Sequence, residues 1–215
     1  MVAENRQGSL TPHRLKPGQL PDPLRAHGAW VYLIVSILAG VLTGTRGDTV
    51  PALLAGSGFV GLFVLGSSLA IAGWRTVLGR LALGMPVTVG SPLLALGLGA
   101  DPSFLLVSLF AIPPAAAALY SANRSGFLSP GALAFGVVAL VVAAPAAASA
   151  GGTSPRLALL LLSILAPLFF WRTWRLARAL GQGWTKERLQ RRGLIESGWA
   201  VGWAAVAVVT IRTLA

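Results

Sequence analysis

The chain has no cysteine, and only two histidines and six acidic residues among its 215 positions. Without a thiol there is no disulfide, no iron–sulfur cluster and no cysteine nucleophile. His13 sits in a proline-containing tail, so His27 has no second histidine with which to hold a haem. The acids Glu4, Asp22, Asp48, Asp101, Glu187 and Glu196 are scattered and form no carboxylate cluster. Hard cations need several oxygen ligands in one place, so neither a metal nor a cofactor is expected. Charge as a whole is scarce: 11% of residues, where a soluble domain carries about 25%.

Apolar residues fill the gap, at 55% of the chain with a mean hydropathy of +0.74. They occur in runs of Leu, Ala, Val and Gly, and about 18 or more such residues suffice to cross a bilayer. Hydrocarbon cannot hydrogen-bond a peptide group, so only helices and closed barrels span it. The runs are continuous and do not alternate, which selects helices. The expected fold is an all-α, polytopic transmembrane helix bundle of about seven spans.

The runs cover 29–45, 50–73, 81–99, 103–120, 127–150, 157–171 and 194–211. Pro86, Gly90 and Pro92 interrupt the third, Pro113-Pro114 the fourth and Pro145 the fifth. The sixth is short and is expected to continue past the lipid surface as far as Gly181. Thr185 then caps a short helix ending near Arg192. Residues 1–25, with Pro12, Pro17, Pro21 and Pro23, read as a disordered basic cytoplasmic tail and not as a cleaved signal peptide. The transmembrane domain is 26–215, including a basic loop at 172–193.

A net charge of +11 would point to nucleic acid in a soluble chain, but no base-stacking module is present and topology accounts for it. With the N-terminus cytoplasmic, only Arg46, Arg156 and Arg212 fall outside, and the other fourteen of the 17 basic residues lie on the cytoplasmic side. That is the positive-inside pattern. It sets the expected orientation, with the C-terminus outside.

Two helix starts concentrate the polar chemistry. His27, Trp30 and Ile34 open the first span, and Glu196, Trp199 and Trp203 open the last, both at spacing i, i+3, i+7. Each set falls within about 60° of one helix face, and both begin spans running in the same direction. One reading joins His27, Trp30, Glu196 and Trp199 into a polar site. The other leaves two unrelated boundary residues, with Glu196 complementing a helix dipole.

The loop residues Arg172, Arg175, Arg178, Lys186, Arg188, Arg191 and Arg192 read as anchors for lipid headgroups or as topology signals alone. Tryptophans gather at the same boundary, at Trp30, Trp74, Trp171, Trp174 and Trp184, either as cation–π partners of the arginines or as walls of a pocket. Gly40/Gly44, Ser57/Gly61 and Gly198/Gly202 have the spacing that lets helices approach closely. Internal packing is the first use, and a homo-oligomer through one of these faces stays open. The Gly/Pro-interrupted spans are tolerated in membranes or mark a binding site near the midplane.

His27-Gly28-Ala29-Trp30 before a first apolar span resembles the HGAW signature of the YwiC-like membrane proteins, a bacterial family without an established activity. Arg192-Gly193-Leu194-Ile195-Glu196 at the last span adds to the resemblance. It implies a short multi-helix protein of a bacterial inner (plasma) membrane and no mechanism. The two aspartate-rich motifs of UbiA-type prenyltransferases are absent, and Gly66-Ser67-Ser68 with His27 is a poor match to a rhomboid-like hydrolase. Two function classes remain, with membrane lipids, anionic ones above all, as the expected partners and no nucleic acid. One is a protein that binds or transports a small anionic or lipidic ligand. The other is an enzyme acting on a lipid headgroup or prenyl-type substrate, with His27 as acid/base. A structural accessory role is the third reading.

Overall fold

A computed structural model describes residues 27–45, 47, 49–68, 74–127, 129–180 and 186–215. Within its helices, the side chains of residues 27, 74–76, 179–180 and 186–194 lie outside the description. The tail at 1–25 also lies outside the described residues. Among those described there are helices and no strands: α1 His27–Thr43, α2 Thr49–Ser68, α3 Trp74–Gly97, α4 Ser103–Ser108, α5 Ile112–Ser125, α6 Pro130–Val141, α7 Ala143–Ala150, α8 Pro155–Leu180 and α9 Lys186–Leu214. The chain is a multi-pass membrane protein built as an all-α bundle. Six segments are long and apolar enough to cross a membrane: Thr49–Ser68, Val77–Gly97, Ser103–Ser125, Pro130–Ala150, Pro155–Arg178 and Ile195–Leu214. The shorter α1, 17 residues long, reaches both ends of the bundle that the six define.

Proline acts differently in each span. α3 runs unbroken through Pro86 and Pro92, where the sequence pattern anticipates an interruption. Neighbouring helices and hydroxyls offset the lost hydrogen bonds in a membrane. In the fourth span, a 3₁₀ turn at Leu109–Ala111 separates α4 from α5. Pro113 and Pro114 then fall in the first turn of α5, where a missing N–H has no partner to lose. The fifth span passes from α6 to α7 at Val142, whose backbone stays in the helical region. α9 is continuous from Lys186, so the short helix expected to end near Arg192 passes through Gly193 into the last span. A helical glycine costs only about 1 kcal/mol; Thr185 lies outside the described residues.

The fifth span is the hub. Every residue of α7 is buried, and α1, α2, α4 and α8 pack around it. Its alanines allow this closeness: a Cβ on Gly40 of α1 would collide with the Ala144 carbonyl oxygen. α3 clasps α2 in the same way, with Gly61 against Thr88 and Gly84. The Gly40/Gly44 stripe and Gly61 are thus internal packing surfaces. α9 lies outside the hub against α1 and α8, where Ile211, Ala207 and Ala204 join Leu161, Leu165 and Phe169 in the larger core cluster.

One end of the bundle is tied by main-chain and hydroxyl hydrogen bonds. α7 and α3 both finish on Schellman motifs: Thr153 N–H donates to Ala148 O and Ala100 N–H to Ala95 O, with Gly152 and Gly99 at positive φ. Thr153 Oγ1 donates to Thr43 O at 2.8 Å, Ser103 and Ser149 hydroxyls meet at 2.6 Å, and Arg212 Nε donates to Leu42 O at 2.6 Å. This last contact places a cation at the C-terminus of α1, where the helix dipole favours it.

Candidate functional site

The opposite end carries Arg124, Arg172, Arg175 and Arg178 and the aromatic rings they lie over. α8 brings Phe169, Arg172 and Thr173 to one side through their i, i+3, i+4 spacing. Phe169 is fully buried against Tyr32 of α1, with ring centroids 4.8 Å apart. One turn further out, Arg172 Nε donates to Glu196 Oε2 of α9 at 2.5 Å. The same guanidinium lies 4.9 Å from the centre of the Trp199 ring. The pair is partly withdrawn from solvent, with side-chain exposures of 22% for Arg172 and 14% for Glu196.

Behind this pair the helices bury further polar groups. Tyr32 lies within electrostatic reach of Thr173, Glu196 and Arg172. Thr173 is 8% exposed, and its hydroxyl completes no hydrogen bond among the described residues. Arg172, Thr173, Glu196, Trp199 and Tyr32 therefore form one constellation where α1, α8 and α9 meet. Between α2 and α3, Arg80 is also buried and donates from Nη1 to Ser67 Oγ at 2.7 Å.

On its lipid side the constellation opens onto a groove along α9. Ile195, Gly198, Trp199, Gly202, Trp203 and Val206 line a trough of about 490 Å³. A Cβ on Gly198 or Gly202 would meet nothing within 4 Å. This small-residue stripe is thus open, unlike those of α1 and α2. Trp203 Nε1 donates to Ile164 O of α8 at 3.1 Å, which fixes that indole as the deep wall of the groove. A second trough of about 420 Å³ lies between α2, α3 and α4, lined by Phe59, Leu62, Pro92, Phe104 and neighbours. No cation or carboxylate borders that one.

The residues singled out in the sequence are distributed as follows. Glu196 and Trp199 meet Arg172. Trp30 turns away toward α2 and packs edge-on against Phe63 at 5.0 Å, while Ile34 is exposed. The backbone of His27 begins α1, but its side chain lies outside the described residues, as do those of Lys186, Arg188, Arg191 and Arg192. Arg175 lies over Trp171 at 5.9 Å and Arg178 over Trp174 at 5.0 Å, each pair one turn apart on α8. Arg124 and Tyr120 repeat that arrangement on α5 at 5.5 Å.

Tyr32 and Thr173 do not stand out in the sequence. A tyrosine inside an apolar run is the available signal, because a buried phenol needs a polar neighbour. No group of three or more His, Asp or Glu that could hold a metal ion occurs among the described residues. An arginine fork beside a carboxylate and an indole face can hold a charged headgroup, and the trough beneath can take a chain. No protein-family model, no curated protein and no solved structure matches this chain.

Proposed function

We propose that this multi-pass membrane protein binds a phospholipid at the α8–α9 corner, with the headgroup at Arg172 and Trp199 and an acyl chain in the α9 groove. The reading is of a binding or carrier protein for a lipidic ligand. The observation that carries it is the position of Arg172 over the ring of Trp199, which itself lines a trough together with Gly198 and Gly202. Lipid tails are as apolar as leucine, so leaving the bilayer for the groove gains no hydrophobic energy. Selectivity must come from charge-assisted hydrogen bonds at the headgroup and from van der Waals fit below.

Arg175, Arg178 and Arg124, each held on an aromatic ring at the same end, support a boundary that meets lipid headgroups. On this reading the end is cytoplasmic, α1 is a seventh span, and the membrane is the bacterial inner membrane. The HGAW motif keeps the chain close to the YwiC-like proteins. A reporter that works only in the cytoplasm should be active when fused after Arg192 and inactive after Ala215; the reverse pattern would invert the topology.

Native mass spectrometry of the detergent-purified protein tests the binding itself. Wild type should retain phospholipid, and Gly202→Leu combined with Trp199→Ala should lose at least one bound molecule. Equal retention by both proteins would remove the groove as a lipid site.

A further inference from the structure

We propose that the α9 groove selects a zwitterionic aminophospholipid over a net anionic one, with Glu196 as the residue that reads the headgroup amine. This rests on the lipid-binding reading above and adds the chemical class of the ligand. Four arginines at this end lie over aromatic rings, at Arg124, Arg172, Arg175 and Arg178. Among the described residues, only Arg172 also has a carboxylate partner. A surface built to collect anions would gain nothing from a fixed negative charge beside its innermost cation. Glu196 is the one carboxylate at this end whose side chain is described; it lies one turn before Trp199, which lines the groove, and holds the arginine that lies over that ring.

The chemistry of the pair suits a zwitterion. A phosphate needs the fork of an arginine, and Arg172 commits only Nε to Glu196, leaving its terminal nitrogens as donors. A primary ammonium needs a carboxylate acceptor and is favoured over an indole face. Glu196 and Trp199 supply both, one turn apart on α9. The headgroup can therefore bridge the existing pair, phosphate toward Arg172 and ammonium toward Glu196, without leaving either charge unpaired in a partly buried place. A phosphatidylglycerol headgroup would satisfy Arg172 but set its own charge against Glu196 with no compensating cation. Charge-assisted hydrogen bonds of this kind correspond to a preference of about ten-fold.

The test is competition between phosphatidylethanolamine and phosphatidylglycerol in an equimolar mixed-micelle titration, read as lipid adducts by native mass spectrometry. Groove-bound lipid is defined as the adduct lost in Gly198→Leu. Wild type should favour the ethanolamine lipid about ten-fold in that fraction, Glu196→Asp should keep the preference, and Glu196→Gln should abolish or reverse it. Groove-bound lipid whose ratio is unchanged in Glu196→Gln would overturn this inference and leave lipid binding intact. If Glu196→Gln does not yield folded protein, the wild-type ratio decides alone: equal binding, or a preference for the glycerol lipid, refutes it. Absence of any adduct lost in Gly198→Leu would instead sink the lipid-binding reading beneath it.

Discussion

At one end of the bundle, α3 and α7 finish on glycine-based caps, and hydroxyls from Thr153, Ser103 and Ser149 stitch neighbouring segments together. At the other end long side chains make the described contacts. One ion pair and one interhelical cation–π contact link α8 to α9, and stacked aromatic rings link α8 to α6. The first end uses short side chains whose partners are carbonyls that every residue has. The second uses long side chains whose partners are other side chains, and those are the groups a ligand can compete for. A closed end fixes the helices while an open end keeps its charged groups available.

The comparison breaks most visibly if the hub that both ends share is disturbed. Gly40→Leu would drive a side chain into the carbonyl of Ala144 and the methyl of Ala147. Overpacking typically costs 1–3 kcal/mol, and more when the obstacle is backbone that cannot turn aside. About 3 kcal/mol or more, out of a total stability of about 5–15 kcal/mol, should appear as aggregation or a large fall in midpoint in a detergent thermal-shift assay. A wild-type melting curve for Gly40→Leu would mean that α1 and α7 are not packed as described.

A smaller loss is expected where α8 meets α9. Arg172→Gln leaves Glu196 without its partner in a partly buried setting, at about 1–3 kcal/mol. In a double-mutant cycle with Glu196→Gln, the pair should couple by about 0.5–3 kcal/mol. Additivity would dissolve the constellation. The same cycle with His27→Gln in place of Arg172→Gln should give the weaker coupling, because Arg172 already holds the Glu196 carboxylate.

Much of this architecture is written in the sequence. Hydropathy locates the six spanning segments and the shorter α1, because the cost of a charge in hydrocarbon keeps Arg124 and Arg156 near the segment ends. Helix continuity is less visible: proline marks a possible break, but only the packing of α3 on α2 decides that Pro86 and Pro92 do not make one. Nor does hydropathy reveal that the alanine-rich fifth span is central, since alanine suits both a lipid face and a tight helix contact. In the site, Glu196 and Trp199 emerge from i, i+3 spacing on α9. Their partner Arg172 is apparent only as one cation among several in a basic stretch. Which face of α1 meets α9 cannot be read from spacing, so Trp30 is prominent in the sequence while Tyr32 holds that place in the fold.

At the closed end, Thr153→Val removes one buried hydrogen bond and leaves the Thr43 carbonyl without that donor. The expected loss is about 1 kcal/mol, visible as a modest fall in thermal midpoint with lipid adducts unchanged. A change in adducts would show that the two ends are coupled through α1 or α8.

The smallest effect on stability, and the sharpest contrast, should come from Gly198→Leu. Its Cβ would meet nothing within 4 Å, so the added side chain has room to turn away from the protein, and leucine is a better helix former than glycine by close to 1 kcal/mol. The folded protein should be unharmed or slightly stabilised, within about 0.5–1 kcal/mol of wild type. The same chemical change at Gly40 should be ruinous, although both glycines belong to stripes of identical spacing. What distinguishes them is occupancy: α7 fills one, and the other is the trough beside Arg172. A leucine filling that trough should displace the bound chain, so lipid loss without destabilisation is the expected signature. If Gly198→Leu unfolds the protein, the stripe is packed against something, a second copy of this chain being the first candidate, and light scattering of the wild type would show the dimer.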